Sequence, residues 1–323
     1  MITTGGTAAS RARPGGGVGV AVAGAALLAE VRAPQGWRVE VIEAMSVNSY
    51  ALSLADLDRL HETVRAVLAR PEVGGVVVVH GTDTLEETAM LVALSHDDPR
   101  PVVFTGAQRP HDHPEADGPG NLQDAVTAAA APGLRGRGVV VCFAGRLDHA
   151  IGGRKVHTSA LEAFADPDHA PLGFVDGDNV QVRGRPGSCR ERSVLPAAPI
   201  AGLRVGVIPV YPGADRSGLD AEIAAGARGL VLEATGCGNA NPDIVAAVAE
   251  ARAAGIAVLV STRVPAGATR AVYDRGGGAD LVRAGAVMAG DLRPGQARIL
   301  LLVLLAHQAE LNDVAVQTFT AAA

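Results

Sequence analysis

Short β-branched runs alternate along this chain with Ala- and Leu-rich stretches of helical period, an order that predicts a parallel sheet with right-handed helical crossovers. The spacing predicts strands at Arg38 to Ile42, Gly75 to His80, Pro101 to Thr105 and Gly138 to Phe143, with helices between them. Ser53, followed by Asp56 and then Leu57 and Leu60, reads as a capping box that opens a helix reaching about Leu68. The texture changes at Gly173 to Val182, where two short alternating runs flank Asp176-Gly177 and predict a hairpin. A second alternating series starts at Arg204 to Val210, continues through Gly229 to Glu233 and Ala257 to Thr262, and ends on a helix begun near Pro294. The apolar run Ile299 to Ala306 is too short to cross a bilayer and follows Arg298, so a buried helix is expected there.

Between the two series, Pro186 to Gly202 is rich in Pro, Arg and Ser without periodicity and is expected to link two domains. The expected architecture is α/β in two domains. Residues 1–185 form the larger one, a mainly parallel sheet with flanking helices plus a β-hairpin, and 186–202 form the linker. Residues 203–323 form a smaller C-terminal α/β domain. A chain of 323 residues has the length to bury both cores.

Composition narrows the function classes. Aromatic residues make up only 3% of the chain, the net charge is -6, and no dense basic run is present, so nucleic-acid binding is not expected. Cys142, Cys189 and Cys237 lie far apart with no CxxC spacing, which predicts neither a zinc site nor a disulfide framework. The N-terminus shows no basic segment followed by an apolar stretch and a cleavage site. A cytoplasmic protein with no membrane association is expected. Gly17-Val18-Gly19 is only a fragment of a dinucleotide fingerprint, with no acidic residue at ribose distance, and no cofactor is expected from it.

The stretch Val76 to Glu87 carries the most chemical information, because a four-valine strand runs into His80-Gly81-Thr82-Asp83-Thr84 and then a helix from Leu85. In open parallel sheets ligands sit outside the carboxyl ends of strands, where the first helical N–H groups attract developing negative charge. Thr82 and Asp83 fall at that edge, although hydroxyls and carboxylates there also commonly cap helices. Ile2-Thr3-Thr4-Gly5-Gly6-Thr7 is a second strand breaking at glycines, which predicts backbone N–H groups and the Thr7 hydroxyl beside one ligand. A threonine hydroxyl needs a neighbouring base and a place for an oxyanion. Lys155 is the only lysine in the chain, and arginine, which fills every other basic position apart from histidine, does not release its proton.

Taken together, these segments resemble the bacterial-type L-asparaginase family, including its glutaminase-asparaginases. The matching stretches are Thr4-Gly5-Gly6-Thr7, His80 to Ala89, Gly106-Ala107-Gln108-Arg109-Pro110, Asp117 to Leu122, Pro171 to Phe174 and Gly236-Cys237-Gly238-Asn239. The resemblance implies hydrolysis of the side-chain amide of L-asparagine to L-aspartate and ammonia, with two threonine centres. Thr7 falls on the first nucleophile and Thr82 on the second threonine, beside Asp83 and Lys155. Lys155 would act as base, and Asp83 would hold it and meet the substrate ammonium. Ser49 matches the serine that binds the substrate carboxylate, and backbone N–H groups of Thr82 and Ala107 would stabilise the oxyanion. The family's sites are shared between subunits, and the partner's contacts align with Asn241 and Asp274, which implies a homodimer or homotetramer. Neither metal nor cofactor is implied.

One departure stands out. In much of that family a tyrosine on a mobile loop completes the first triad, yet Ala8 to Glu30 contains no tyrosine. Tyr273, next to Asp274, is the residue that would substitute for it from a partner chain, or else it packs at a subunit interface. The resemblance leaves open which threonine attacks first and whether glutamine is also a substrate. A catalytically weak amino-acid-binding homologue is the reading from a different class. His80 is expected to be a packed, hydrogen-bonded histidine, His111 and His113 to be solvated, and Cys142 and Cys237 to be small packing residues.

Overall fold

The computed structural model describes residues 1–13, 15–184, 194–309 and 311–320. Two compact units divide the chain, Met1 to Glu191 and Arg192 to Ala322. Residues 186–193 of the expected linker, Cys189 among them, lie outside the described residues.

The first unit is built on an eight-stranded sheet. Its order is Asn179–Val182, Gly173–Asp176, Arg146–His149, Val139–Phe143, Val102–Thr105, Val76–Val79, Ile2–Thr3 and Ile42–Glu43. The five strands from Val139–Phe143 to Ile42–Glu43 run parallel, and the other three are antiparallel, ending in the Gly173–Val182 hairpin. Valine-rich strands suit this place because side chains of period two must be buried on both faces. Val76, Val78, Val102, Phe104, Val139 and Val141 pack on one face with Leu60, Val64, Leu85, Ala89 and Val92. The alternate residues Val77, Val79, Val103, Val140 and Cys142 pack on the other face with Leu122, Ala125, Val126 and Ala129.

The longer helices of this unit are Leu54–Leu68, Leu85–Ser95 and Gly118–Ala130, with a short one at Gly24–Leu28. Ser53 and Asp56 form the reciprocal capping box expected at the start of the first. The strand expected at Arg38 to Ile42 is a correction: only Ile42–Glu43 is extended into the sheet. Its neighbour Ile2–Thr3 offers ladder partners at two positions alone, so the apolar pattern upstream finds no strand to pair with.

In the second unit, Val205–Pro209, Gly229–Ala234, Ala257–Thr262 and Val287–Met288 form a parallel sheet in that order. Helices Pro242–Ala253 and Pro294–Ala306 pack with it, and the second carries the buried apolar run expected at its C-terminal end. Among the described residues no helix is long and apolar enough to cross a membrane.

His61 faces the groove between two of the helices and is 5% exposed, with Nε2 2.5 Å from Ser95 Oγ. Burial, reinforced by Arg65 and His96 against the opposing pull of Asp58, pushes it down to about 4. The folded chain therefore holds His61 neutral while the unfolded chain takes up a proton near pH 6.5. Its share of stability is complete above pH 6.5 and is lost as pH falls from there towards about 4. Guanidinium unfolding across this window should show a stability slope that is flatter in His61→Gln by up to about 1.4 kcal/mol per pH unit. Equal slopes in the two proteins would contradict the assignment.

Candidate active site

Two turns meet at the carboxyl edge of the parallel strands. Thr4 follows Ile2–Thr3 and donates its backbone N–H to Val79 O at 3.1 Å, while His80 N–H donates to Thr105 O at 2.8 Å. Gly6 sits at φ +77, and a Cβ there would lie 2.4 Å from Gly81 Cα. Only glycine allows both that backbone and that approach. The chain leaving Gly6 enters a single 3-10 turn, Thr7–Ala9, in which Thr7 is half-buried. Its hydroxyl has no hydrogen bond among the described residues.

Lys155 reaches the second turn from the short Arg154–Lys155 strand. Its Nζ donates to Thr82 Oγ1 at 2.8 Å and to Asp83 Oδ1 at 2.9 Å. The Lys155 side chain is 17% exposed and Asp83 is 53% exposed, so the cluster opens to solvent on the carboxylate side. The backbone of Lys155 is fixed as well, with its N–H donating to Glu86 Oε2 at 2.6 Å. Burial raises the Glu86 carboxyl above its ordinary range, opposed by that hydrogen bond and by the charges of Arg154 and Lys155. Across the ladder Lys155 pairs with Phe164, whose ring packs on Phe143 with centroids 4.9 Å apart. The short strand that carries Lys155 is thereby tied to the apolar core.

The capping role weighed for Thr82, Asp83 and Thr84 is not what these side chains do. The Leu85–Ser95 helix starts with no side-chain cap, and Thr84 Oγ1 donates instead to Ser49 O at 2.9 Å. Thr82 Oγ1 accepts from Lys155 and donates to Gln108 Oε1 at 3.3 Å.

Ser49 is 4% exposed, and its Oγ would lie 2.6 Å from a Cβ built on Gly81, so it abuts the same turn. Ala107 is fully buried at the start of the third turn. Asp117 braces that turn by accepting N–H groups from Gln108 at 2.9 Å and Arg109 at 2.8 Å. Among the described residues, neither the Thr82 N–H nor the Ala107 N–H has an acceptor in the chain. The free Thr7 hydroxyl, a lysine bonded to the Thr82 hydroxyl and two unpaired backbone donors on one sheet edge suit nucleophilic attack with oxyanion stabilisation.

The histidines divide. His80 is fully buried, donates through Nδ1 to Gly81 O at 2.7 Å, and is pushed down to about 4 by burial. His113 is exposed as expected, but His111 is half-buried beside Glu30, 3.6 Å from its Oε1, rather than solvated. Its backbone N–H donates to Ser10 O, which draws the loop against the chain after Thr7. Burial, with Asp124 nearby, holds the Cys142 thiol well above its ordinary range, as befits packing.

The remaining expected residues lie in the second unit. Asn241 caps the Pro242–Ala253 helix, accepting Ile244 N–H at 3.0 Å and donating to Ala214 O at 2.8 Å. That leaves its amide one further donor and one lone pair. Tyr273 is 59% exposed, and Asp274 is also exposed. Gln108, Glu86 and Asp117 were not singled out from sequence, although all three lie inside the quoted motifs. Glu86 stands in the first turn of the Leu85–Ser95 helix, directly after the turn that carries Thr82 and Asp83.

Comparison with known proteins follows the same outline. Residues 1–187 match the family described as Asparaginase, N-terminal, and residues 204–317 match the Glutaminase/Asparaginase C-terminal domain. An L-asparaginase of Bacillus licheniformis is 33% identical over 318 residues, covering 96% of both chains. A probable L-asparaginase of Deinococcus radiodurans is 36% identical over 322 residues, covering 97% of this chain and 94% of that one. The crystal structure of a probable cytoplasmic L-asparaginase from Campylobacter jejuni superposes with a TM-score of 0.83 at 26% identity, covering 99% of this chain and 98% of that one. With both of its domains matched and relatives aligned over nearly their whole length, this chain belongs to the asparaginase family.

Proposed function

We propose that this protein hydrolyses the side-chain amide of L-asparagine to L-aspartate and ammonia through a threonine nucleophile. The observation that carries the reading is the contact of Lys155 Nζ with Thr82 Oγ1 at 2.8 Å, beside the turn that presents Thr7. A lysine that has lost its proton offers a lone pair beside that hydroxyl and takes the proton of the attacking group, Thr7 or water, as a new C–O bond forms. Asp83, 2.9 Å from the same nitrogen, stabilises the protonated form.

In the acyl-enzyme route Thr7 Oγ attacks the amide carbon, the carbonyl electrons move to oxygen, and the N–H groups of Thr82 and Ala107 receive the oxyanion. The C–N bond breaks as the proton given up by Thr7 passes to the departing nitrogen, which leaves as ammonia. Water then adds to the ester, giving aspartate and restoring the threonine hydroxyl. In the direct route Thr82, Lys155 and Asp83 activate water against the same carbon. Positioned acid–base groups contribute about 10²–10⁴-fold, and each oxyanion donor about 10²–10³-fold. Ser49, whose Oγ lies against Gly81, would bind the substrate carboxylate, and Asp83 its ammonium.

The active form is a homodimer or homotetramer, in which Asn241 and Asp274 of a neighbouring subunit contact the substrate. Exposure of Asp274, with Val272 and Tyr273 exposed beside it, supports that role. A cytoplasmic location follows the relative described in those words.

Ammonia release from L-asparagine and L-glutamine, measured side by side, tests the function; release from neither would remove it. Discrimination between the two is modest, since one methylene is worth roughly 1–3 kcal/mol. Thr7→Ala and Thr82→Ala, each mixed with asparagine and examined by intact mass, separate the routes. An aspartyl ester trapped on Thr7 in the Thr82→Ala protein is the expected result, and no ester in either variant favours direct attack by water. Tyr273→Phe should lower kcat at least 10-fold if its hydroxyl serves Thr7 as the missing loop tyrosine would. Unchanged turnover assigns it to packing.

A further inference from the structure

Two peptide planes at the site are each gripped from behind by a buried side chain. His80 is fully buried, and its Nδ1 lies 2.7 Å from the Gly81 carbonyl oxygen. A carbonyl only accepts, so Nδ1 carries the proton and Nε2 holds a bare lone pair. No partner for that lone pair is found among the described residues. Asn121, 4% exposed, makes the matching contact on the next turn, where its Nδ2 donates to Gly106 O at 3.0 Å. Its Oδ1 accepts the Ala144 N–H at 2.9 Å, which fixes the end of the amide that is nitrogen.

In a trans peptide the carbonyl and the following N–H point in opposite directions. Among the described residues no peptide is cis. Drawing Gly81 O towards His80 therefore turns the Thr82 N–H the other way. Drawing Gly106 O towards Asn121 does the same for the Ala107 N–H. Both of these N–H groups are without an acceptor among the described residues. The turns also lie against each other, since a Cβ on Gly106 would meet His80 O at 2.4 Å.

We infer that His80 and Asn121 are positioning residues that aim the Thr82 and Ala107 N–H groups at the oxyanion. The inference rests on the amide-hydrolysis reading and assigns its stabilising dipoles a fixed direction. Packing alone gives no account of His80, because a leucine fills similar space and brings no unpaired Nε2 lone pair into the core.

The decisive comparison is kcat and KM for asparagine in the wild-type protein, His80→Asn, His80→Leu and Asn121→Leu, with thermal melts to confirm folding. Losing the aim of a donor should lower kcat in both leucine variants at least 10-fold, towards the roughly 10²–10³-fold of a lost oxyanion donor. KM should stay within a few-fold. His80→Asn, whose Nδ2 can donate from near the position of the imidazole Nδ1, should recover most of the kcat. Equal kcat in His80→Leu and His80→Asn, or a loss expressed in KM, overturns the inference while leaving the hydrolysis reading intact. A wild-type protein that releases no ammonia overturns both. Should His80→Leu fail to fold, nitrogen NMR of the wild-type imidazole decides: a proton on Nδ1 supports the inference, and a proton on Nε2 overturns it.

Discussion

The site depends on the contact between Lys155 Nζ and Thr82 Oγ1, made across 73 positions of sequence. Nothing local enforces it. Thr82 is delivered by a buried valine strand that has to stop where its ladder ends, and Lys155 by a two-residue strand pinned through Phe164 and Glu86. An ammonium shielded to this degree is tolerable only with partners in place, and the Thr82 hydroxyl and the Asp83 carboxylate supply them. The same arrangement that stabilises the charge sets the hydroxyl beside the nitrogen that we propose takes the proton.

Close backbone approach is the second constraint, and it explains where glycines stand. Gly6 against Gly81, Gly81 against Ser49 and Gly106 against His80 O leave no room for a Cβ. Each contact brings two turns together at one sheet edge. Thr7, Thr82 and Ala107 are thus carried by three strands of a single layer, which is how the proposed reaction would offer a threonine of ordinary reactivity both a base and aligned dipoles. The hairpin after Thr7, pairing Ser10–Ala12 with Val18–Val20, places the Val20 side chain beside Gly5 in a chain that has no tyrosine in this segment.

Much of this was legible in the sequence, for reasons that differ by feature. Valine runs buried on both faces announce parallel strands whatever surrounds them, and Ser53 with Asp56 is a self-contained signal. Thr82 and Asp83 were legible because a strand, a polar turn and a helix in that order fix them at the carboxyl edge. Lys155 stood out because the chain has no other lysine. Its distance to Thr82 was not legible, since tertiary packing sets it. The strand expected at Arg38 to Ile42 shortened because pairing needs a partner, and a hydrophobic pattern does not reveal how long that partner is. His111 was expected in solvent, yet it is half-buried beside Glu30, a long-range neighbour. The amide of Asn241 is largely committed to a helix start, a use that a motif alignment cannot display.

The central claim is that Lys155 takes the proton in amide hydrolysis. Turnover of L-asparagine by Lys155→Met, measured beside the wild-type protein with folding verified, tests it most directly. The account predicts that kcat falls by about 10²–10⁴-fold, the worth of a positioned acid–base group. A Lys155→Met protein that releases ammonia within about twofold of the wild-type rate, far inside that range, would contradict it.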